Sequence, residues 1–154
     1  MEDIRVSPTN NETRKHILVV NQLIHKFVSA LLYRANMHDS TKLSDPEVEK
    51  FVECTPLLEQ QSFSDPEYKK TLQTTLKDAL SHHYAHNRHH PEHFKNGIED
   101  MNLVDLIEMF CDWKAASLRQ KDGNLEKSIE LQQDRYSMPR EIVKIFKNSI
   151  SVFE

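Results

Sequence analysis

Residues 102–119 read NLVDLIEMFCDWKAASLR and predict the central helix of the fold. The helix is expected to begin after Asn102, a good N-cap residue, and to run to about Arg119. Because its circumference is apolar almost all round, other elements should surround it. One narrow stripe is acidic and consists of Asp105, Glu108 and Asp112. This stripe faces either water or a polar site, and Asp105 is also placed to stabilise the start of the helix.

Helices are predicted on the N-terminal side of this segment as well. Thr13 to Asn36 carries apolar residues with the spacing of a helix packed along one face, and it is expected to be the first core helix. The motif SDPE occurs twice, at residues 44–47 and 64–67. In each copy Asp can cap a helix, Pro fits its first position and Glu favours the positive end of the dipole. Two more helix starts follow from this.

Prolines and glycines predict where these helices end. The first SDPE helix should stop before Thr55-Pro56, because the residue that precedes proline is disfavoured in the helical region. The second should run from Pro66 into a histidine-rich segment until Pro91 interrupts it, and Asn96-Gly97 marks a turn. Asp122-Gly123 should stop the central helix. Two further helices are predicted at residues 125–136 and 139–150, with Ser137 as the cap of the second.

The composition agrees with a fold made of helices alone. The chain has 154 residues with two glycines and six prolines, which is enough for one core and leaves few tight turns. No linker, repeat or low-complexity stretch divides it. We therefore predict an all-α, single-domain helical bundle that spans residues 1–154.

Charge and cysteine usage exclude several classes of partner. The formal net charge is -4, and acids and bases are interspersed rather than in blocks, so duplex nucleic acid is not an expected partner. Cys54 and Cys111 stand apart, no signal peptide opens the chain, and no apolar run approaches the roughly 20 residues of a membrane span. The sequence predicts a reduced cytoplasmic protein without a membrane partner, and it leaves a homo-oligomer open.

Histidine usage departs from the ordinary. Six of the nine histidines lie in HHYAHNRHHPEH, residues 82–93. A solvated segment would use lysine more often, and a neutral imidazole binds metal ions near pH 7 whereas a lysine does not. His83 continues the apolar stripe of its helix and His90 stays near it, while His82 and His89 lean to one side. The segment favours an ion or phosphate site.

A second polar group of residues follows the first helix. Residues 38–42 read HDSTK, which places an imidazole, a carboxylate and an ammonium together. Adjacent His and Asp can ligate one divalent ion or two neighbouring ions that the carboxylate bridges. Without a metal, HDSTK is an ordinary polar helix end. His16 extends the apolar stripe of the first helix, and a core histidine held by one hydrogen bond is its competing interpretation.

The order of these residues resembles the signature of the HD-domain superfamily, which comprises all-helical, metal-dependent phosphohydrolases. The resemblance implies one or two divalent ions of iron, manganese, magnesium, zinc or cobalt. It also implies a set of ligands, in which His82 and His89 are the substitutes for the two histidines of the second ion. The implied ligands are His16, His38, Asp39 and Asp112, and for a second ion His83 and His90.

The resemblance also implies a reaction. HDSTK looks like the His-Asp-x-x-Lys variant, in which the lysine contacts a substrate phosphate. Hydrolysis of a phosphate ester needs cations that neutralise the phosphoryl oxygens and a water whose pKa is lowered towards neutrality. Asp39 would bridge the ions, Lys42 or Arg88 would clamp the phosphate, and Glu92 or a free histidine would move the proton. The expected substrate is a nucleotide or a related small phosphate ester.

A closer resemblance covers nearly the whole chain. HDSTKLSDPEVEKFVECTP at residues 38–56 and the segment 81–116 look like a family of phage and bacterial proteins known as a domain of unknown function. That resemblance implies no activity.

Two other functions stay open at this stage. The same ligands can hold two irons that activate oxygen, as in HD-type mixed-valent oxygenases. A protein without enzymatic activity could instead bind a nucleotide or a host protein, with the histidines forming a metal-stabilised or pH-sensitive surface.

Overall fold

The computed structural model describes residues 8–58, 66–119 and 123–154. Within these ranges it contains seven α-helices, four short 3₁₀ helices and no strand, which confirms the predicted all-α fold. The chain divides into two compact units, residues 1–36 and residues 37–154. The helices are α1 (Pro8–Met37), α2 (Val48–Leu58), α3 (Pro66–Gln73), α4 (Lys77–His86), α5 (Leu103–Leu118), α6 (Leu125–Tyr136) and α7 (Arg140–Asn148).

Helix α1 is the described element of the first unit. Its large apolar side chains are exposed, for example Leu23 at 57% and Ile24 at 56%. The predicted burial of this face is therefore not found. The physical reason is that residues 8–36, the described part of this unit, form one helix, and a single helix cannot cover its own apolar stripe.

Residues 10–43 include a stretch that is long and apolar enough to cross a membrane by length and composition alone. The sequence prediction of no membrane-spanning stretch considered uninterrupted apolar runs, whereas residues 10–43 also contain a few charged positions. Core helices of soluble proteins and leader sequences also have this composition, so the finding is weak evidence for a membrane span.

The second unit is built around α5, as its apolar circumference predicts. Helix α5 packs on α6, and α6 packs on α7. The rings of Phe110 and Phe146 stack with their centroids 4.9 Å apart, and Trp113 meets Phe146 edge-on at 5.7 Å. A smaller apolar cluster joins α2 to the start of α4 through Cys54, Leu76 and Ala79.

The start of α5 is the predicted one. The Asn102 side chain accepts hydrogen bonds from the backbone N–H groups of Val104 and Asp105 at 2.8 and 3.1 Å. In return, the Asp105 carboxylate accepts the backbone N–H of Asn102 at 3.1 Å. This reciprocal capping box fixes the first turn of the helix that carries the acidic stripe.

Two predicted helix boundaries in the second unit are wrong. Helix α2 continues through Pro56 to Leu58, and the N–H that proline lacks would have met the carbonyl of Val52, a residue that is 69% exposed. The helix from Pro66 breaks into α3 and α4 at a turn over residues 74–76. Within this turn the Thr74 hydroxyl donates to the Lys70 carbonyl at 2.8 Å, a local bond that competes with helix propagation.

The remaining boundaries are mixed. The turn at Gly97, whose φ is +60°, is confirmed, but α4 ends at His86, before Pro91, which instead begins the 3₁₀ helix Pro91–His93. Ser137 does not cap the last helix. It adopts φ 50° and closes the C-terminus of α6, while Pro139 precedes α7. The predicted stop at Asp122 lies outside the described residues.

Candidate metal centre

The histidines and carboxylates gather within the second unit from three parts of the chain. These are the link after α1, the end of α4 with its following loop, and the acidic stripe of α5. Asp39 lies in the link with φ 55°, a left-handed conformation that aspartate tolerates better than most residues. The turn is closed by the backbone N–H of Lys42, which donates to the Asp39 carbonyl at 2.9 Å.

The innermost contacts involve Asp39 and three imidazoles. Asp39 Oδ1 lies 3.1 Å from His83 Nε2 and 3.4 Å from His89 Nε2. His83 Nε2 also lies 3.0 Å from His90 Nε2. Neighbouring ligands of an ion bonded at about 2.0–2.2 Å are themselves roughly 2.9–3.5 Å apart. The four side chains therefore have the spacing of a single coordination sphere.

Unsatisfied polar atoms provide a test of this interpretation. Asp39 Oδ1 and both ring nitrogens of His89 are buried and have no hydrogen-bond partner within the described ranges. Such atoms are rare in folded proteins, because each costs free energy unless it is paired or bound to an ion. A donor set of three imidazoles and one carboxylate suits a borderline divalent cation such as zinc, iron or manganese. The residues present therefore fit a metal ion.

His38 and Asp112 lie on the other side of the Asp39 carboxylate. His38 Nε2 is 3.7 Å from Asp39 Oδ2 and 3.6 Å from Asp112 Oδ1. The His38 ring is also next to that of His89, with centroids 4.3 Å apart. This side offers one imidazole and two carboxylates, which are residue types that can hold a divalent ion.

Hydrogen bonds, burial and neighbouring charges shift the pKa values of several groups in the cluster. Hydrogen bonds to Asp112 and Glu108 raise the pKa of His38 to about 10 against the opposing effect of burial. Burial, with the help of neighbouring His89 and His83, lowers the pKa of His90 to about 3. Burial would raise the pKa of Asp39, but the neighbouring His83 ring and the Lys42 ammonium outweigh it and hold that pKa well below its ordinary value.

At neutral pH the cluster therefore contains ionised Asp39, neutral His90 and protonated His38. Asp112 is also ionised, because the hydrogen bond from His38 outweighs burial and lowers its pKa. A metal ion would displace the His38 proton, so binding should release protons.

Two buried glutamates lie behind the imidazoles. Glu47 accepts His82 Nδ1–H at 2.7 Å and faces His83 Nδ1 at 2.9 Å. Glu108 Oε1 lies 2.9 Å from His38 Nδ1 and 3.2 Å from His89 Nδ1. The sequence interpretation did not assign either glutamate to the site. Glu47 already had a local explanation as the acid of SDPE. Glu108 belonged to the acidic stripe that was predicted to face either water or a polar site, and its burial favours the polar site.

The other residues named from the sequence have different surroundings. Lys42 donates to Asp39 Oδ2 at the edge of the cluster and is partly exposed. Arg88 is held by Asp105 and Glu92 by Arg135, so neither points into the cluster. His16 lies in the first unit with an exposed side chain. The roles assigned to these four residues stay predictions.

Comparison with known protein families matches residues 5–152 to the family described as "Family of unknown function (DUF5662)". No curated protein and no solved structure matches the chain. The family match covers nearly the whole sequence, and its description assigns no activity.

Proposed function

The chain belongs to this family of unknown function, and we propose that it is a metal-dependent phosphohydrolase that acts on a nucleotide or a related small phosphate ester. One observation carries the proposal. Asp39 Oδ1 is buried beside the imidazole nitrogens of His83 and His89 with no hydrogen-bond donor in the described structure. An anionic oxygen in such a place calls for a cation.

Asp39, His83, His89 and His90 would hold the first ion, and His38 and Asp112 would complete the set. When bound, such an ion neutralises phosphoryl oxygens and lowers the pKa of a water towards neutrality.

Lys42 is the residue that favours a phosphate ester as the substrate. Its ammonium lies at the edge of the cluster, 34% exposed, on the Asp39 oxygen that faces away from His83. A cation that neutralises Asp39 would weaken this ion pair, so the ammonium could turn to a phosphate oxygen. The order His38-Asp39, Lys42 and Asp112 supports the same interpretation, because it resembles the HD-domain signature.

Metal content is the first test. Protein purified without an affinity tag or chelator should contain about one or two equivalents of iron, manganese, zinc or cobalt by elemental analysis. His83→Ala should lose this metal. His25→Ala is the matched control, because His25 is exposed on α1 and its Nδ1 donates to the Asn21 carbonyl. A folded wild-type protein that binds none of these ions after incubation refutes the proposal.

Activity is the second test. The metal-loaded protein should release phosphate from a panel of nucleoside mono-, di- and triphosphates, and Asp39→Asn should abolish the reaction in a folded variant. Lys42→Ala should raise KM more than it lowers kcat, because its proposed contact is with the bound phosphate. Bound metal without turnover would instead support a nucleotide-binding or host-binding protein. Bound iron with visible absorbance and oxygen consumption would support the di-iron oxygenase.

A further inference from the structure

The proton on the His83 ring decides whether this residue can be a metal ligand. A neutral imidazole carries one N–H, on either Nδ1 or Nε2, and the other nitrogen keeps the lone pair. In His83 each nitrogen faces a carboxylate: Nδ1 lies 2.9 Å from Glu47 Oε2, and Nε2 lies 3.1 Å from Asp39 Oδ1. A proton on Nε2 would satisfy Asp39 and block coordination. A proton on Nδ1 would leave the lone pair facing Asp39.

The surroundings of the two carboxylates differ. Glu47 has no solvent-exposed side-chain surface, whereas the Asp39 side chain is 26% exposed and its other oxygen is neutralised by Lys42. A hydrogen bond to an anion is stronger where water is excluded. Glu47 is therefore the better acceptor for the single His83 proton.

Glu47 is also held in a fixed orientation. Asn87 donates from its amide to Thr41 Oγ1 at 2.8 Å, and this leaves the Thr41 hydroxyl proton for Glu47 Oε2 at 3.0 Å. The second carboxylate oxygen accepts His82 Nδ1–H at 2.7 Å. Two rings and one hydroxyl thus converge on a single buried carboxylate.

We propose that Glu47 is a positioning residue that holds His83 with its proton on Nδ1 and thereby directs the Nε2 lone pair into the metal centre. The inference rests on the proposed metal site but concerns the chain without metal. It also gives the buried glutamate of SDPE a role beyond the start of a helix. Outer carboxylates that accept the second ring proton of a ligand histidine act in this way in metal proteins.

Histidine tautomers can be measured directly without metal or substrate. In protein labelled with ¹⁵N-histidine, long-range ¹H–¹⁵N correlation spectra at mildly alkaline pH should show His82 and His83 both protonated on Nδ1. Glu47→Gln replaces two acceptor oxygens by one acceptor and one donor. One of the two rings must then move its proton to Nε2. Glu49→Gln, at an exposed position of α2, is the matched control and should change neither ring.

Metal affinity gives the second readout. In Glu47→Ala the His83 proton should move to Nε2, where Asp39 accepts it, and the affinity for cobalt should fall about 10- to 100-fold. If this variant does not fold, the Glu47→Gln spectrum decides. A wild-type His83 protonated on Nε2 or on both nitrogens overturns the inference, as does a folded Glu47→Gln protein in which neither ring changes. Absence of phosphatase activity would refute the proposed function and leave the tautomer result standing.

Discussion

Arg88→Ala tests whether Arg88 is a structural residue or a phosphate ligand. Its guanidinium binds the Asp105 carboxylate through two hydrogen bonds of 3.1 and 2.9 Å, and it lies over the Phe94 ring at 4.8 Å. The Asp105 side chain is fully buried, whereas the Arg88 side chain is 44% exposed. Removing the arginine therefore leaves a buried carboxylate without this cation.

The expected loss of stability follows from these contacts. Hydrogen bonds to charged groups contribute about 1.5–3 kcal/mol each. Water can reach the exposed side of the pair, and Asp105 keeps the backbone N–H of Asn102 at 3.1 Å, so only part of two such bonds is lost. We expect the free energy of unfolding to fall by about 2–3 kcal/mol. At roughly 2–4 °C per kcal/mol for a chain of this size, Tm should fall by about 5–10 °C.

Urea unfolding followed by circular dichroism measures this change. Arg135→Ala is the control, because in its ion pair with Glu92 neither side chain is fully buried, at 52% and 30% exposed, and the pair should be worth about 0–1 kcal/mol. If Arg88→Ala unfolds within about 0.5 kcal/mol of the wild type and instead raises KM for a phosphate ester, the structural reasoning is refuted and the predicted clamp is supported.

Three further predictions concern other parts of the second unit. Glu108→Gln should weaken metal binding about 10- to 100-fold in a titration, because the anionic acceptor behind His38 becomes a neutral amide; unchanged affinity would contradict this. Burial raises the pKa of Tyr136, so above pH about 10 the unfolded chain ionises first and stability falls by up to about 1.4 kcal/mol per pH unit. Urea unfolding of Tyr136→Phe should show a smaller fall than the wild type. Phe146→Ala removes a ring stacked on Phe110 and should cost about 3–5 kcal/mol in the same assay; a loss below about 1 kcal/mol would contradict the described core.

Local patterns explain which helices could be predicted. Helix α5 and its Asn102 cap follow from apolar spacing and from a cap that acts within one turn. The α6 boundaries follow in the same way. The continuation of α2 through Pro56 could not be predicted, because the exposure of Val52, the residue opposite the missing N–H, is a property of the folded chain.

The same distinction applies to the candidate site. HDSTK and the histidine segment indicated chemistry by residue type, and the structure brings His38, Asp39, His83, His90 and Asp112 together. Burial of Glu47 depends on contacts between positions some 35 residues apart, such as that with His82. Because the SDPE motif already accounts for Glu47 as the acid at a helix start, the sequence gives no signal of such a contact.

The histidine segment has a consequence for the denatured chain. Six histidines remain within twelve residues after every helix has unfolded, so the unfolded protein should keep an affinity of its own for soft and borderline cations. A ligand that binds both the native and the unfolded chain stabilises the native state only by the difference between its two binding free energies. Rising metal concentration should therefore increase Tm at first and then have little further effect. With enough free zinc or nickel, unfolded chains should be cross-linked through this segment before they can refold.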